Sequence, residues 1–179
     1  MNIREAYEES LHRNGHVKDS AQLDVIARFE DLQARLLAQR PRKGGLRTMF
    51  FRSEPREIVR GLYIWGGVGR GKTFLMDLFF ENLPVEQKRR IHFHRMMHDV
   101  HKRMKTLSFV EDPLDKIAAS IAQDTRVLCF DEFFVSDIGD AMILGRLLEG
   151  LFSRGVTPVS YTHLTLPTNV SMCRSRWSP

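Results

Sequence analysis

Apolar positions along the chain follow helical spacing in some segments and form short continuous runs in others. Between Asp19 and Gln39 they recur every three or four residues, which is typical of an amphipathic helix. The recurring residues are Val25, Ile26, Phe29, Leu32, Leu36 and Leu37. Asp19 or Ser20 can cap this helix, and Pro41 ends it. From Gly61 onward, short apolar runs alternate with helical segments, which predicts a parallel α/β sheet.

Four strands and four further helices follow from this alternation. The strands are predicted at residues 61–66, 90–96 and 126–133 and from Val156 onward, and the helices at 72–83, 97–107, 113–123 and 138–154. Pro84 stops the first of these helices, Asp137 caps the last, and Gly155 suits the position just after it.

Length and composition are those of one soluble globular domain: 179 residues, of which 42% are hydrophobic and 27% charged. The first residues lack the apolar stretch of a secretory signal, and the two cysteines form no spacing motif, so we expect a cytoplasmic protein. Eight basic and two acidic residues fall within 35–60. We therefore divide the chain into an N-terminal helical segment (1–40), a basic linker or loop (41–60), an α/β core (61–159) and a tail (160–179).

A phosphate-binding loop is predicted between the first strand and the helix that follows it. The pattern G-x-x-x-x-G-K-[ST] is met by Gly66, Gly67, Val68, Gly69, Arg70, Gly71, Lys72 and Thr73. Glycines let backbone N–H groups surround phosphate oxygens, and the helix N-terminus faces the same anion. Lys72 would reach the β- and γ-phosphates of ATP, and the Thr73 hydroxyl would hold Mg²⁺.

Two acids end the apolar strand that contains Val127 to Phe130. Carboxylates at the end of a buried strand are costly unless they are paired or bind a metal. We expect Asp131 to hold Mg²⁺ together with Thr73, and Glu132 to orient or deprotonate an attacking water. The catalytic residues would then be Glu132 and Lys72, and the glutamate favours hydrolysis over phosphate transfer to a substrate.

Weaker patterns allow other ligands. His92 and His94 alternate on the second predicted strand, and His98 and His101 share a helix face. No cysteine or acid completes a zinc site, so no zinc is expected. The basic segment 41–60 could contact nucleic acid, but charge runs are usually solvated and no recognition module accompanies it. The run "MFF" inside that segment could touch a membrane surface or pack against the core.

Between Arg60 and Thr157, three stretches carry a family resemblance: "RGLYIWGGVGRGKTFLMDLFF", "IHFHRMMHDVH" and "VLCFDEFFVSDIGDAMILGRLLEGLFSRGVT". They closely resemble the AFG1-like AAA+ ATPases. The resemblance implies a P-loop NTPase of the AAA+ type, with a parallel sheet sandwiched by helices. It also implies a cytoplasmic, Mg²⁺-dependent ATPase that associates with the tubulin-like division ring of bacteria. A homo-oligomeric ring is possible for the intact protein.

The resemblance ends after "LFSRGVT". The family would continue this strand into a polar tip that ends in Thr-Ser-Asn, whereas this chain reads "PVSYTHLTLPTN". Pro158 is unfavourable in a central strand, and Asn169 takes no assigned role. We expect residues 160–179 to be non-native or disordered, and the core to be truncated before the arginine finger and the helical lid. The resulting predictions are a weakly active ATPase, a nucleic-acid-associated ATPase of the helicase-loader type, or an inert nucleotide-binding fragment.

Overall fold

The computed structural model describes residues 2–14, 17–39 and 58–163, and ten regular elements lie within them. The helices are α1 (Ile3–Asn14), α2 (Ser20–Ala38), α3 (Lys72–Asn82), α4 (Phe93–Thr106), α5 (Pro113–Asp124) and α6 (Ile138–Ser153). The strands are β1 (Leu62–Gly66), β2 (Lys88–His92), β3 (Val127–Asp131) and β4 (Thr157–His163). No helix among the described residues is long and apolar enough to cross a membrane.

The four strands form one parallel sheet in the order β1-β4-β3-β2. Parallel neighbours require crossover connections, and here helices supply them. In the register, Gly66 pairs with His163 and Asp131 pairs with His92. The carboxyl ends of all four strands therefore meet at one edge of the sheet, where ligands bind in open α/β folds.

Helices cover both faces of the sheet, and the alternation of side chains along β3 divides the core between them. Val127 and Cys129 belong to a cluster with α1, α2 and α3. Leu128 and Phe130 belong to a cluster with α4, α5 and α6. The predicted class, a parallel sheet sandwiched by helices, is confirmed. A strand buried on both faces explains the unbroken apolar run that precedes Asp131.

The boundary between β2 and α4 differs from the prediction. The strand was expected at 90–96, but β2 ends at His92, and α4 already begins at Phe93. His94 is therefore helical and does not share a strand face with His92. Phe93, Met96, Met97 and Val100 are buried at helical spacing, and this packing outweighs the short alternation in the sequence.

The last strand extends further than predicted. β4 runs to His163, so the ordered sheet passes the boundary that we placed at residue 159, and Ser160, Tyr161 and Thr162 are buried. The sheet accommodates Pro158 because the β1–β4 ladder starts one residue later, with the pair Leu62 and Val159. The N–H that proline lacks would therefore fall at the end of this ladder and not inside it. The predicted linker from 41 to 57 and the tail from 164 onward lie outside the described residues.

Candidate functional site

The predicted phosphate loop connects β1 to α3 at the carboxyl edge of the sheet. Gly69 and Gly71 have φ angles of 77° and 73°, in the left-handed region that favours glycine. Gly67 to Arg70 are exposed, and the Val68 side chain is directed to solvent. The loop is thus open on its outer side, and its sharp turn ends directly on the first residue of a helix, as phosphate binding requires.

Lys72 is buried in spite of its charge, with 4% of its surface exposed. Its Nζ donates hydrogen bonds to the carbonyl oxygens of Gly66 and Gly67, at 3.0 Å and 2.6 Å. The ammonium group therefore lies within the curve of the loop. Carbonyl oxygens are weaker partners for a cation than phosphate oxygens, so these bonds can be exchanged for an anionic ligand.

Thr73 contacts a residue that the sequence did not suggest. Its hydroxyl lies 3.2 Å from the hydroxyl of Tyr161, which is buried in β4 opposite Ile64 of β1. Burial raises the pKa of the Tyr161 hydroxyl, although the hydrogen bond with Thr73 acts in the opposite direction. We had assigned Tyr161 to the tail. The signal that could have found it is the alternation of apolar and polar residues in Val159, Ser160, Tyr161 and Thr162, which continues the strand past residue 159.

The two acids end β3 with different environments. Asp131 is buried, whereas Glu132 is exposed and has a left-handed φ of 52°, which is strained for a residue with a side chain. The next residue, Phe133, donates its backbone N–H to the carbonyl oxygen of Tyr161, at 2.8 Å. Both carboxylates are close enough to Tyr161 to raise the pKa of its hydroxyl further.

An arginine neutralises Asp131. The Nε of Arg90, on β2, lies 2.9 Å and 3.0 Å from the two carboxylate oxygens, and the Nη1 of Arg90 contacts Asp77 of α3. This pairing accounts for the burial of Asp131. Sequence reasoning missed Arg90 because the contact joins residues 41 positions apart and has no local pattern.

The residues expected to hold Mg²⁺ suit that ion in their chemistry. Thr73 offers a hydroxyl oxygen and Asp131 a carboxylate. Both lie at the carboxyl edge of the sheet, since Thr73 is in the first turn of α3 and Asp131 ends β3. Mg²⁺ prefers oxygen ligands, of which one or two come from protein side chains and the rest from phosphates and water. Among the described residues, no group of three or more His, Cys, Asp or Glu side chains is arranged to hold a metal by itself.

The histidines separate onto different elements. His92 ends β2, His98 is exposed on α4, and the Nε2 of His101 lies 2.6 Å from Asp140 of α6. His163 ends β4 opposite Gly66, and its buried Nδ1 has no hydrogen-bond partner within residues 2–14, 17–39 and 58–163.

Helix α2 contacts the phosphate loop at Arg70, and α1 contacts α2 beside it. Asp19 forms a salt bridge of 3.0 Å with Arg70, and the Nε2 of Gln22 donates to the carbonyl oxygen of Arg70 at 3.2 Å. Tyr7 of α1 in turn donates its hydroxyl hydrogen to Gln22. The Arg70 side chain is thus paired with the start of α2, and the predicted contribution of its backbone N–H to phosphate binding stays a prediction.

One family model and two known proteins match this chain. A family model described as AFG1-like ATPase matches residues 1–172. The cell division protein ZapE of Escherichia coli K12 is 45% identical over 167 residues, which are 88% of this chain and 44% of ZapE. Lactation elevated protein 1 homolog B of Danio rerio is 46% identical over 112 residues, which are 56% of this chain and 22% of that protein.

Solved structures give weaker similarity. Domain III of the replication initiation protein DnaA from Thermotoga maritima matches with a TM-score of 0.44 and 23% identity, over 57% of this chain and 43% of that domain. DnaI matches with a TM-score of 0.46 and 17% identity, over 82% of this chain and 68% of DnaI. The chain spans less than half the length of the curated relatives it matches. Since the family model covers nearly all of its residues, the chain belongs to the AFG1-like ATPase family.

Proposed function

We propose that this chain binds MgATP at the carboxyl edge of its sheet and contributes the hydrolytic groups of an AAA+ type ATPase. The observation that carries the proposal is the buried Lys72, whose ammonium group lies inside a glycine-rich loop at the start of a helix. A buried cation held by two carbonyl oxygens is suited to exchange them for phosphate oxygens.

Each residue of the site has a role in this proposal. The backbone N–H groups from Gly66 to Thr73 surround the phosphates, and Lys72 pairs with the β- and γ-phosphates. Thr73 and Asp131 hold Mg²⁺, which neutralises charge on the phosphates when it is bound. Glu132, exposed beside Asp131, orients the attacking water and accepts its proton.

We expect turnover by this chain to be slow. It spans less than half the length of ZapE, and an arginine supplied from elsewhere is worth roughly 10³–10⁵ in rate for related reactions. Nucleotide binding needs only the loop and the metal ligands, so binding and hydrolysis should separate. The cellular role we propose is that of its relative, in bacterial cell division, with a cytoplasmic location, a tubulin-like ring protein as partner and a homo-oligomeric intact form.

Calorimetry with ATP and Mg²⁺ tests the site. Lys72→Ala should abolish measurable binding because the main countercharge of the phosphates is lost. Lys102→Ala, which removes an exposed lysine of α4, is the matched control and should bind as the wild type does. Equal affinity for ATP in the wild type and Lys72→Ala would remove the proposed role of Lys72.

Hydrolysis is tested separately with Glu132→Gln. The amide keeps the size of the side chain but cannot accept the proton of water, so ATP should bind with unchanged affinity while phosphate release falls by about 10²-fold or more. The wild-type rate of this chain, measured as phosphate release over hours, is the reference. Undiminished phosphate release by Glu132→Gln would show that another group activates the water.

A further inference from the structure

Arg90 joins two carboxylates that come from different elements. It lies on β2, its Nε contacts both oxygens of Asp131 at the end of β3, and its Nη1 contacts Asp77 on α3. The side chains of Arg90 and Asp131 are 20% and 10% exposed. The guanidinium group is therefore held between one carboxylate that we expect to bind Mg²⁺ and one that lies outside the site.

The sheet register explains how Arg90 reaches Asp131. Arg90 pairs with Cys129, and Asp131 follows two residues later on the same face of β3, towards α3. Arg89 precedes Arg90 and is directed to the opposite face, where it lines a cavity with residues of α4 and α5. The contact with Asp131 thus depends on position 90 and not on the general basic character of β2.

Asp131 is not shut off from solvent by this contact. It lines an open cleft of about 500 Å³, together with Arg89, Arg90, Ile91, His92, Arg95 and Asp99. A small hydrated cation could therefore reach the carboxylate, although Arg90 contacts both of its oxygens.

We propose that Arg90 supplies the countercharge of Asp131 while no metal is bound, and that Arg90 and Mg²⁺ compete for this carboxylate. The inference rests on the proposed role of Asp131. A metal that binds Asp131 would share a carboxylate oxygen that Arg90 now contacts, so two positive charges would meet at one group, and Asp77 would retain the guanidinium group if Arg90 moves away. Arg90 is a positioning residue that sets the Mg²⁺ concentration at which nucleotide binds with its metal.

The test measures ATP affinity by calorimetry across a series of Mg²⁺ concentrations, using the full chain. Arg90→Gln should lower the Mg²⁺ concentration for half-maximal enhancement of ATP binding by roughly threefold to tenfold, because one competing charge next to the metal is lost. Arg90→Lys keeps the positive charge but loses the simultaneous contact with Asp131 and Asp77. Its Mg²⁺ concentration for half-maximal enhancement should lie between those of the wild type and Arg90→Gln. Arg103→Gln is the matched control, because Arg103 is an exposed arginine of α4 that does not line this cleft, and it should behave as the wild type does.

The inference would be overturned if the Mg²⁺ concentration for half-maximal enhancement were unchanged or raised in Arg90→Gln. Arg90 would then have no effect on metal binding, or would favour it. If Arg90→Gln does not fold, Arg90→Lys decides by the same criterion. Mg²⁺ alone gives a readout that does not depend on nucleotide: it should raise the thermal midpoint of the Arg90 variant more than that of the wild type. If the wild type binds no ATP, the proposed function fails, and this comparison of thermal shifts still decides the inference.

Discussion

Gly71 meets two constraints at the entrance to α3. Its φ of 73° lies in the left-handed region, and a Cβ at this position would come within 2.7 Å of the Nε2 of Gln22. The Gln22 side chain can move, whereas the left-handed backbone angle belongs to Gly71 itself, directly before the first residue of α3. The cost of a side chain here therefore comes from the backbone, with the contact to α2 as a smaller part.

Gly71→Ala should lower the free energy of unfolding by about 1–2 kcal/mol, the cost of a left-handed residue with a Cβ. Gly145→Ala is the matched control, because Gly145 lies within α6 with open space around its Cα. That variant should raise the free energy of unfolding by roughly 0.5–1 kcal/mol. Urea denaturation of both variants measures the difference, and equal stability would mean that the loop adapts to a left-handed alanine at no cost.

Cys129 is protected at the centre of β3. Burial raises the pKa of its thiol to about 12, with smaller effects from Arg90, Asp131 and Lys88. Only the thiolate reacts with disulfide reagents, so at pH 8 the folded chain should expose almost no reactive Cys129. As the pH rises above about 9, the unfolded chain loses this proton first, so the thiol lowers the free energy of unfolding between pH 9 and the folded pKa.

Labelling with an aromatic disulfide reagent checks this expectation in Cys173→Ser, where Cys129 is the remaining thiol. The native variant should react only at its rate of unfolding, and the same variant in urea should react at once with one equivalent. Rapid labelling under native conditions would contradict the burial of β3.

Long basic side chains hold the carboxyl ends of two helices against the sheet. Arg126, buried just before β3, donates to the carbonyl oxygens of Leu36 and Gln39 at the end of α2. Lys88 donates to the carbonyl oxygens of Phe80 and Leu83 at the end of α3. Carbonyl groups in the last turn of a helix lack partners within the helix, and cations also interact favourably with its dipole.

Arg126→Met should therefore destabilise the chain by about 1–3 kcal/mol, because methionine fills part of the space but leaves the buried carbonyl groups of α2 without their donor. Arg13→Met removes an exposed arginine that pairs with Glu9, and it should change the free energy of unfolding by less than about 0.5 kcal/mol. Urea denaturation followed by circular dichroism measures both. A loss for Arg126→Met no larger than for Arg13→Met would show that water replaces the arginine.

The elements that the sequence predicted well are those with a strong local pattern. The apolar spacing of α2 and the runs of β1 and β3 located these elements to within two residues or fewer. The start of α4 could not be found in this way, because "IHFHRM" alternates like a strand. Its state is decided by Phe93, which packs on Phe130 and Phe133 from distant parts of the chain.

In the candidate site, too, the sequence predicts the residues that form a local pattern and misses those that act through distant contacts. Residues 66–73 and the acids 131 and 132 are consecutive and form recognisable patterns, so the sequence suffices to propose them. The partners that act on them, Tyr161, Arg90 and Gln22, contact residues 41 to 88 positions away. Contacts of this kind depend on strand order and register, which one sequence does not specify by pattern.

The two N-terminal helices are part of the same core as the phosphate-binding helix. Phe29 of α2 stacks on Phe79 of α3 with ring centroids 4.5 Å apart, and both side chains are fully buried. Residues of α1, α2, α3 and three strands belong to this one cluster. We therefore expect α1 and α2 to unfold together with the sheet and not as a separate unit.

Phe29→Ala tests this cooperativity. Loss of a buried aromatic ring should lower the free energy of unfolding by about 3–5 kcal/mol. Leu37→Ala, at a half-exposed position of the same helix, should cost about 1 kcal/mol or less. Far-ultraviolet circular dichroism reports on the helices. Tryptophan fluorescence reports on β1, which carries Trp65, once the second tryptophan is replaced in a Trp177→Phe background. Because the α2–α3 contact joins both to one core, the two probes should give one coincident urea transition in the wild type, and that transition should move as a whole in Phe29→Ala. A helical signal that is lost at lower urea than the fluorescence signal would mean that α1 and α2 form a separable layer, and that their contacts with Arg70 are not needed to hold the phosphate loop.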